Sequence, residues 1–414
     1  MSPPLLAGSL WALGLLGACF GARQWLPTGR AVTHRGWLIV GAVALAVRLL
    51  PNLVLPVGAG YDIESFQIVG DLVRAGREVY ASPDTVNRHP YLPLQMYWMA
   101  AARWGAGAFD LPFVKVVRLA PIAADAGIAI LLYQSLRRRS SDRDAFFGGM
   151  FYALNPVPIF VSAYHGQFDT IPALLTLLAL ASPGRSSLGA GGWLGLGILN
   201  KSWPVLALPS LALAARGWPK KLLLLGLAIL IPLAGVGLYA AVFGADPRAV
   251  LGRALSYNWG GGVWGYTYFF RLLSIFRPAF TVLFYTVVDT GRYLTLAALG
   301  LVWWFRARHE SPGAGILTVL VAFLAVTHAF SIQYLMWVVP FAVLNQDYRW
   351  LWRYTLGAFA YMFLTYTTLI LEMHITQWLP WPQADWFIIM PAGLPAWLVT
   401  VGWATKRVVG TAQE

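Results

Sequence analysis

Residues 60–98 read GYDIESFQIVGDLVRAGREVYASPDTVNRHPYLPLQMYW, and this stretch decides how the rest of the chain is read. It sets Asp62, Glu64, Asp71, Arg74, Arg77, Glu78, Asp84, Arg88 and His89 between apolar runs, in a segment that a bilayer does not accept. Apolar runs recur on both sides of it. The chain is 58% hydrophobic and 11% charged, with 20 Trp and a mean hydropathy of +0.62. A soluble domain carries about a quarter charged residues. The fold class is therefore all-α, a polytopic transmembrane helical bundle. Helices satisfy their own backbone in lipid, and the runs lack the alternation of a barrel. The net charge of +13 reads as basic residues flanking cytoplasmic helix ends, not as a nucleic-acid footprint. Cys19 lies in an apolar run, which leaves neither a disulfide framework nor a cysteine metal site.

Charge asymmetry orients the runs. Leu5–Gly21 has no basic residue before it and Arg23, Arg30 and Arg35 after it, so it reads as an inward span and not as a signal peptide. Gly36–Pro56 returns outward, which places a loop over about residues 57–118 on the extracytoplasmic side. Within that loop Ile63, Phe66, Val69 and Val73 recur at helical spacing against Glu64, Gln67, Asp71, Arg74 and Glu78. This predicts an amphipathic helix lying along the membrane from near Asp62. Tyr91–Trp104, at about 14 residues, falls short of the roughly 20 needed to span and reads as a second interfacial helix. Leu119–Leu136 then brings Arg137, Arg138 and Arg139 to the cytoplasm. The remaining runs alternate to give about 11–13 spans in one transmembrane domain over 1–414, several of them short enough to be half-helices. A second outer loop covers 244–278. Arg48 falls inside the second span and requires a partner there.

Several polar constellations face the outer side. Asp62 is either the N-cap of the amphipathic helix or a base. Arg88 and His89, ahead of Pro90-Tyr91-Leu92-Pro93, are either phosphate contacts or ordinary interface residues. Asn155-Pro156 leads to His165-Gly166-Gln167-Phe168-Asp169, whose three polar side chains form either a site or a polar turn. Lys201 sits between two short apolar halves and needs an anion, which a ligand, Asp125 or Asp169 could supply. The stretch around Arg253, Tyr257, Asn258, Trp259 and Trp264 combines glycines and aromatics as a flexible platform able to stack on a sugar. His328, Gln333 and Tyr334 sit at a further outer boundary, as either interfacial anchors or part of a site. HExxH and GxSxG are absent, so zinc-peptidase and serine-hydrolase readings have no support.

The order of these motifs resembles the integral-membrane glycosyltransferases of the GT-C class. The matching features are Asp62 at the head of the first outer loop, Tyr91-Leu-Pro-Leu, Asn155-Pro with Gly166-Gln-Phe-Asp169, and Gln333-Tyr334 with Trp337 and Pro340. They cover roughly residues 36–345 and are similar to those of bacterial polyprenyl-phosphate-sugar-dependent enzymes and of the first mannosyltransferase of glycosylphosphatidylinositol assembly. The resemblance implies an inverting transfer of a sugar, by this likeness mannose, from a polyprenyl-phosphate donor to a lipid, glycan or protein hydroxyl. The site would face outward from the cytoplasmic membrane. It makes Asp62 the general base and Glu64 the second acidic position of an Asp-x-Asp-like pair, which leaves a divalent metal as the one open cofactor. Arg88, His89, Tyr91, His165, Gln167, Asp169, Lys201, Arg253, Gln333 and Tyr334 are then expected to bind substrate, with Arg88, Lys201 and Arg253 around the phosphate. A transporter or lipid flippase is the alternative, weakened because Arg48, Asp125, Lys201 and Asp289 are too few and scattered for a path through the helices. A receptor or scaffold leaves the acidic head of the loop unexplained.

Overall fold

The computed structural model describes residues 3–24, 35–55, 58–182, 186–255, 260–370, 387 and 389–410. Among them the chain is helical and contains no strand. It forms two compact units, one of Leu15–Tyr257 and one of Met1–Gly14 with Asn258–Glu414. Helix α1 (Pro3–Gln24) carries residues of both.

The larger unit runs through α2 (Gly36–Val54), α3 (Gly60–Arg74), α4 (Leu94–Ala108), α5 (Phe113–Val117), α6 (Leu119–Arg137), α7 (Asp142–Leu154) and the short α8 (Pro156–Ile159). A π-helical turn, Phe160–His165, leads into α9 (Thr170–Ala181), α10 (Ser187–Asn200), α11 (Leu208–Ala214), α12 (Trp218–Phe243) and α13 (Pro247–Leu255). Four helical runs are long and apolar enough to cross a membrane: Gly36–Val54, Phe113–Arg137, Asp142–His165 and Trp218–Phe243. The chain is an all-α polytopic membrane protein. At about 1.5 Å per residue, the 12 residues of α9 rise about 18 Å, less than a hydrocarbon core.

The apolar run from Ala145 to Val161 does not form one continuous α-helix. Asn155 Oδ1 accepts from Val157 N at 3.0 Å and Pro156 sits at the first helical position, so α7 stops and a new helix starts at the same place. Arg48, wholly buried on α2, finds its partner in Asp125 of α6 at 2.5 Å. Asp125 also accepts from Tyr152 at 2.5 Å and Ser162 at 2.7 Å, while Arg48 donates to the Ala153 carbonyl at 2.7 Å. Such a pair tolerates burial because these neighbours satisfy the carboxylate oxygens and one end of the guanidinium, although Arg48 Nη2 is left without a partner. It ties α2, α6, α7 and the π turn together.

Both helices expected within residues 57–118 are present, and they pack on each other. Phe66, Val69 and Leu72 of α3 meet Met96, Met99 and Ala102 of α4 in one buried cluster. Each large side chain there contributes about 1.5–3 kcal/mol of burial. Gly70 allows the approach, because a Cβ would stand 2.8 Å from the Met99 carbonyl oxygen. The second helix starts at Leu94 and not at Tyr91, since Pro93 takes the N-cap position.

The other unit holds α14 (Gly265–Phe276), α15 (Thr281–Phe305), α16 (Pro312–Val326), α17 (Val338–Leu344), α18 (Tyr348–Ile370) and α19 (Leu394–Val409). At the described end of the glycine and aromatic stretch, Trp264 is not part of an open platform. Trp264 keeps 2% exposure, stacks on Phe330 with centroids 4.2 Å apart, and donates to the Leu324 carbonyl at 2.8 Å. That ring anchors a core and presents no face to a sugar; Tyr257, Asn258 and Trp259 lie outside the described residues. Arg407 on α19 links Asp347 at 3.3 Å and Glu310 at 3.5 Å, fastening the end of the helix.

Candidate active site

Asp62 stands in the first turn of α3, whose N-cap is Ala59 with no side-chain cap bond. The cap reading therefore fails: the carboxylate turns away from its own helix. His165 Nε2 lies 2.6 Å from Asp62 Oδ2, and Gln167 Nε2 donates to the same oxygen at 2.8 Å. The Asp62 side chain keeps 29% exposure, whereas His165 and Gln167 are buried. Burial is the largest influence on this carboxyl and pushes its pKa up. The hydrogen bond and charge of His165, the Gln167 hydrogen bond and the charge of Lys201 together outweigh burial and leave the carboxyl below the usual aspartate value. Asp62 is thus ionised at neutral pH.

The turn that delivers the two donors is built for close approach. The Val161 carbonyl accepts from both Gly166 N at 3.2 Å and Gln167 N at 3.1 Å. Gly166 has φ +88°, and a Cβ there would stand 2.9 Å from Ile63 Cδ1 on α3. Arg118, at the joint of α5 and α6, pins the turn from behind. It donates to the Leu55 carbonyl at 3.3 Å and to the Tyr164 carbonyl, so one buried side chain holds the approach to α3 and the π turn together. Sequence reasoning missed Arg118. Its signal was a cation at the head of the apolar run 119–136, at the end read as outer, where charge asymmetry does not ask for one.

The other expected residues lie in several separate places. Glu64 is 60% exposed and pairs with Arg88 at 2.9 Å, while the Arg88 guanidinium also lies 4.7 Å from the Tyr61 ring. Asp62 and Glu64 therefore do not converge as a two-carboxylate clamp, and among the described residues no three His, Cys, Asp or Glu groups gather around a common point. Lys201 and Asp169 form a buried pair at 2.7 Å, with the ammonium 5.1 Å from the Tyr91 ring and 5.2 Å from the Phe168 ring. Lys201 thus takes its anion from the protein. Beside it Asn200 donates to Gln95 at 2.9 Å. Arg253 donates to the carbonyls of Tyr80 at 2.6 Å and Thr85 at 3.0 Å, closing the loop between α3 and α4.

His89 is buried at 1% exposure, with its ring against Tyr80 and Tyr91 at 5.6 Å each. Desolvation, with the Arg253 charge adding to it, drops its pKa to about 3. A ring kept neutral and sealed is no phosphate cation, and this corrects the expectation drawn from Arg88-His89. Gln333 and Tyr334 belong to the other unit. There Gln333 is buried, and Tyr334 stacks on Trp337 with centroids 4.2 Å apart.

Apolar helices long enough to span and a fixed, partly open carboxylate on the polar segment between them describe an integral membrane protein. Residues 111–331 match the model of glycosyltransferase family 87, and the chain belongs to that family. It is a membrane glycosyltransferase, and the transporter alternative loses its support. The match includes His165, Gln167, Asp169, Lys201 and Arg253 and begins after Asp62, Glu64, Arg88, His89 and Tyr91. No curated protein and no solved structure matches the chain.

Proposed function

We propose that the protein is an inverting glycosyltransferase that moves a sugar from a polyprenyl-phosphate donor to a hydroxyl on the extracytoplasmic face of the cytoplasmic membrane, with Asp62 as the base. The observation that carries this reading is the ionised, half-buried Asp62 carboxylate held by two donors in a chain of family 87. Polyprenyl phosphate leaves as a stable anion and needs no general acid. The reaction asks the protein for a carboxylate to take the hydroxyl proton and for a cation near the phosphate.

Arg88 fits the second task best among the three cations considered for it. Its partner Glu64 is largely exposed, and such pairs contribute about 0–1 kcal/mol, so turning Arg88 towards a phosphate costs little. Lys201 and Arg253 are already spoken for by Asp169 and by two loop carbonyls. They support the site's shape, as do Tyr91 and Phe168. Mannose is the first sugar to try, by likeness of the motifs. Purified protein incubated with a panel of polyprenyl-phosphate sugars should consume one donor, and Asp62→Asn should abolish that loss while keeping the thermal midpoint. Donor consumption retained by Asp62→Asn overturns the base assignment.

A further inference from the structure

The Asp62 carboxylate is held on one side only. His165 Nε2 at 2.6 Å and Gln167 Nε2 at 2.8 Å both meet Oδ2, and no described residue donates to Oδ1. We propose that His165 and Gln167 are positioning residues, a two-donor clamp that reserves Asp62 Oδ1 for the acceptor hydroxyl and fixes its direction. The proposal rests on the reading of Asp62 as the base.

Burial argues against the direct role in substrate binding that the motif implied. His165 keeps 4% exposure and Gln167 none, so neither reaches a ligand without leaving Asp62. The orientation of Gln167 points the same way. Turned about, its amide would set Oε1 against Oδ2, acceptor against acceptor, so the nitrogen faces the carboxylate. That choice leaves Gln167 Oε1 buried without a partner, a cost of about 1–3 kcal/mol. A fold that tolerates an orphaned acceptor to keep one contact is spending stability on that contact. The glycine between the clamp residues serves the same end: φ +88° at Gly166 brings positions 165 and 167 to one carboxylate.

In the reaction the acceptor oxygen forms its bond to the anomeric carbon as the bond from that carbon to the phosphate oxygen breaks. The electron pair of the broken bond leaves on the polyprenyl phosphate. The hydroxyl proton passes to Asp62 Oδ1, so one negative charge moves from the carboxylate to the phosphate and the sum is unchanged. The clamp lowers the basicity of Asp62 but keeps it ionised and aimed. Misplacing a reacting group by about 1 Å costs about 10²-fold in rate. The titratable and charged groups facing Asp62 are His165 from the π turn and Lys201 after α10, the latter offset by Asp169. On its own helix Glu64 is turned to Arg88.

The test is an infrared titration of the Asp62 carboxyl in full-length protein in detergent micelles, taken as the difference from Asp62→Asn. It is run on wild type, Gln167→Leu, His165→Leu and His165→Gln, alongside kcat and KM with polyprenyl-phosphate mannose as the probe. Loss of either donor removes a lowering influence, so the Asp62 carboxyl should titrate at higher pH and the acidic limb of kcat/KM should rise with it. In the Leu variants kcat should fall about 10²-fold with donor KM nearly unchanged, and His165→Gln, which keeps a donor, should recover part of the loss. An unchanged Asp62 titration in Gln167→Leu and His165→Leu overturns the clamp, as does a raised donor KM at wild-type kcat. If wild type transfers no sugar while the titration shifts, the clamp stands and the donor reading falls.

Discussion

Replacing Asp169 by Asn removes the anion from a pair sealed off from solvent. The Lys201 side chain keeps 6% exposure and that of Asp169 none, with 2.7 Å between nitrogen and oxygen. An ammonium left in that place has the Tyr91 and Phe168 rings at 5.1 and 5.2 Å, and each ring returns about 0.5–2 kcal/mol. That does not replace a carboxylate. Removing one partner of a buried pair costs about 3–5 kcal/mol, which in a unit of this size lowers Tm by roughly 10 °C. Lys201→Met should cost a similar amount by stranding Asp169. The double variant Lys201→Met with Asp169→Leu should recover most of it, because neither charge then remains to be desolvated. Thermal unfolding of the four proteins in one detergent, followed by tryptophan fluorescence, reads all of this. Donor KM is measured beside it. A Lys201→Met protein that keeps the wild-type Tm while donor KM rises about tenfold refutes the structural assignment and returns Lys201 to the phosphate.

His89→Phe should leave sugar transfer intact and change the pH dependence of stability. The folded histidine titrates near 3 against an ordinary 6.5, so stability is whole above pH 6.5 and is lost as pH falls, because only the unfolded chain takes the proton. Relative to His89→Phe, the wild type should lose about 2 kcal/mol between pH 6.5 and pH 5, read as a divergence of the two Tm curves. Equal curves would show that the ring is not sealed. Gly166→Ala forces a Cβ into positive φ and to 2.9 Å from Ile63 Cδ1, at about 1–3 kcal/mol. Its kcat should fall further than its Tm explains, because the strain lies between the two donors.

Much of this architecture was legible because apolar runs and helical spacing are local signals. The amphipathic α3 followed from Ile63, Phe66, Val69 and Val73. The pairing of polar groups was not legible, since it depends on which turns meet in space. Lys201 could have taken an outside anion or either of two aspartates; the fold gives Asp169 to Lys201 and Asp125 to Arg48. Trp264 looked like a sugar platform because glycines surround it, yet glycines also let a large ring sink into a core. The Asp-x-Glu pattern at Asp62 and Glu64 misled for a simpler reason. Two helical positions two residues apart face different directions, so one carboxylate met the π turn and the other met Arg88.

Asp62 and the residues that hold it are separated by 103 and 105 positions of chain. A ribosome therefore delivers the carboxylate to the membrane well before it has made either donor. Until the segment ending at Gln167 has inserted and docked, the nascent chain carries an unaimed carboxyl in an open loop. On the proposed reading of Asp62 as the base, readiness to react is tied to completed folding of the larger unit's first helices, and a truncated product ending before residue 165 would lack both donors however well its loop were made.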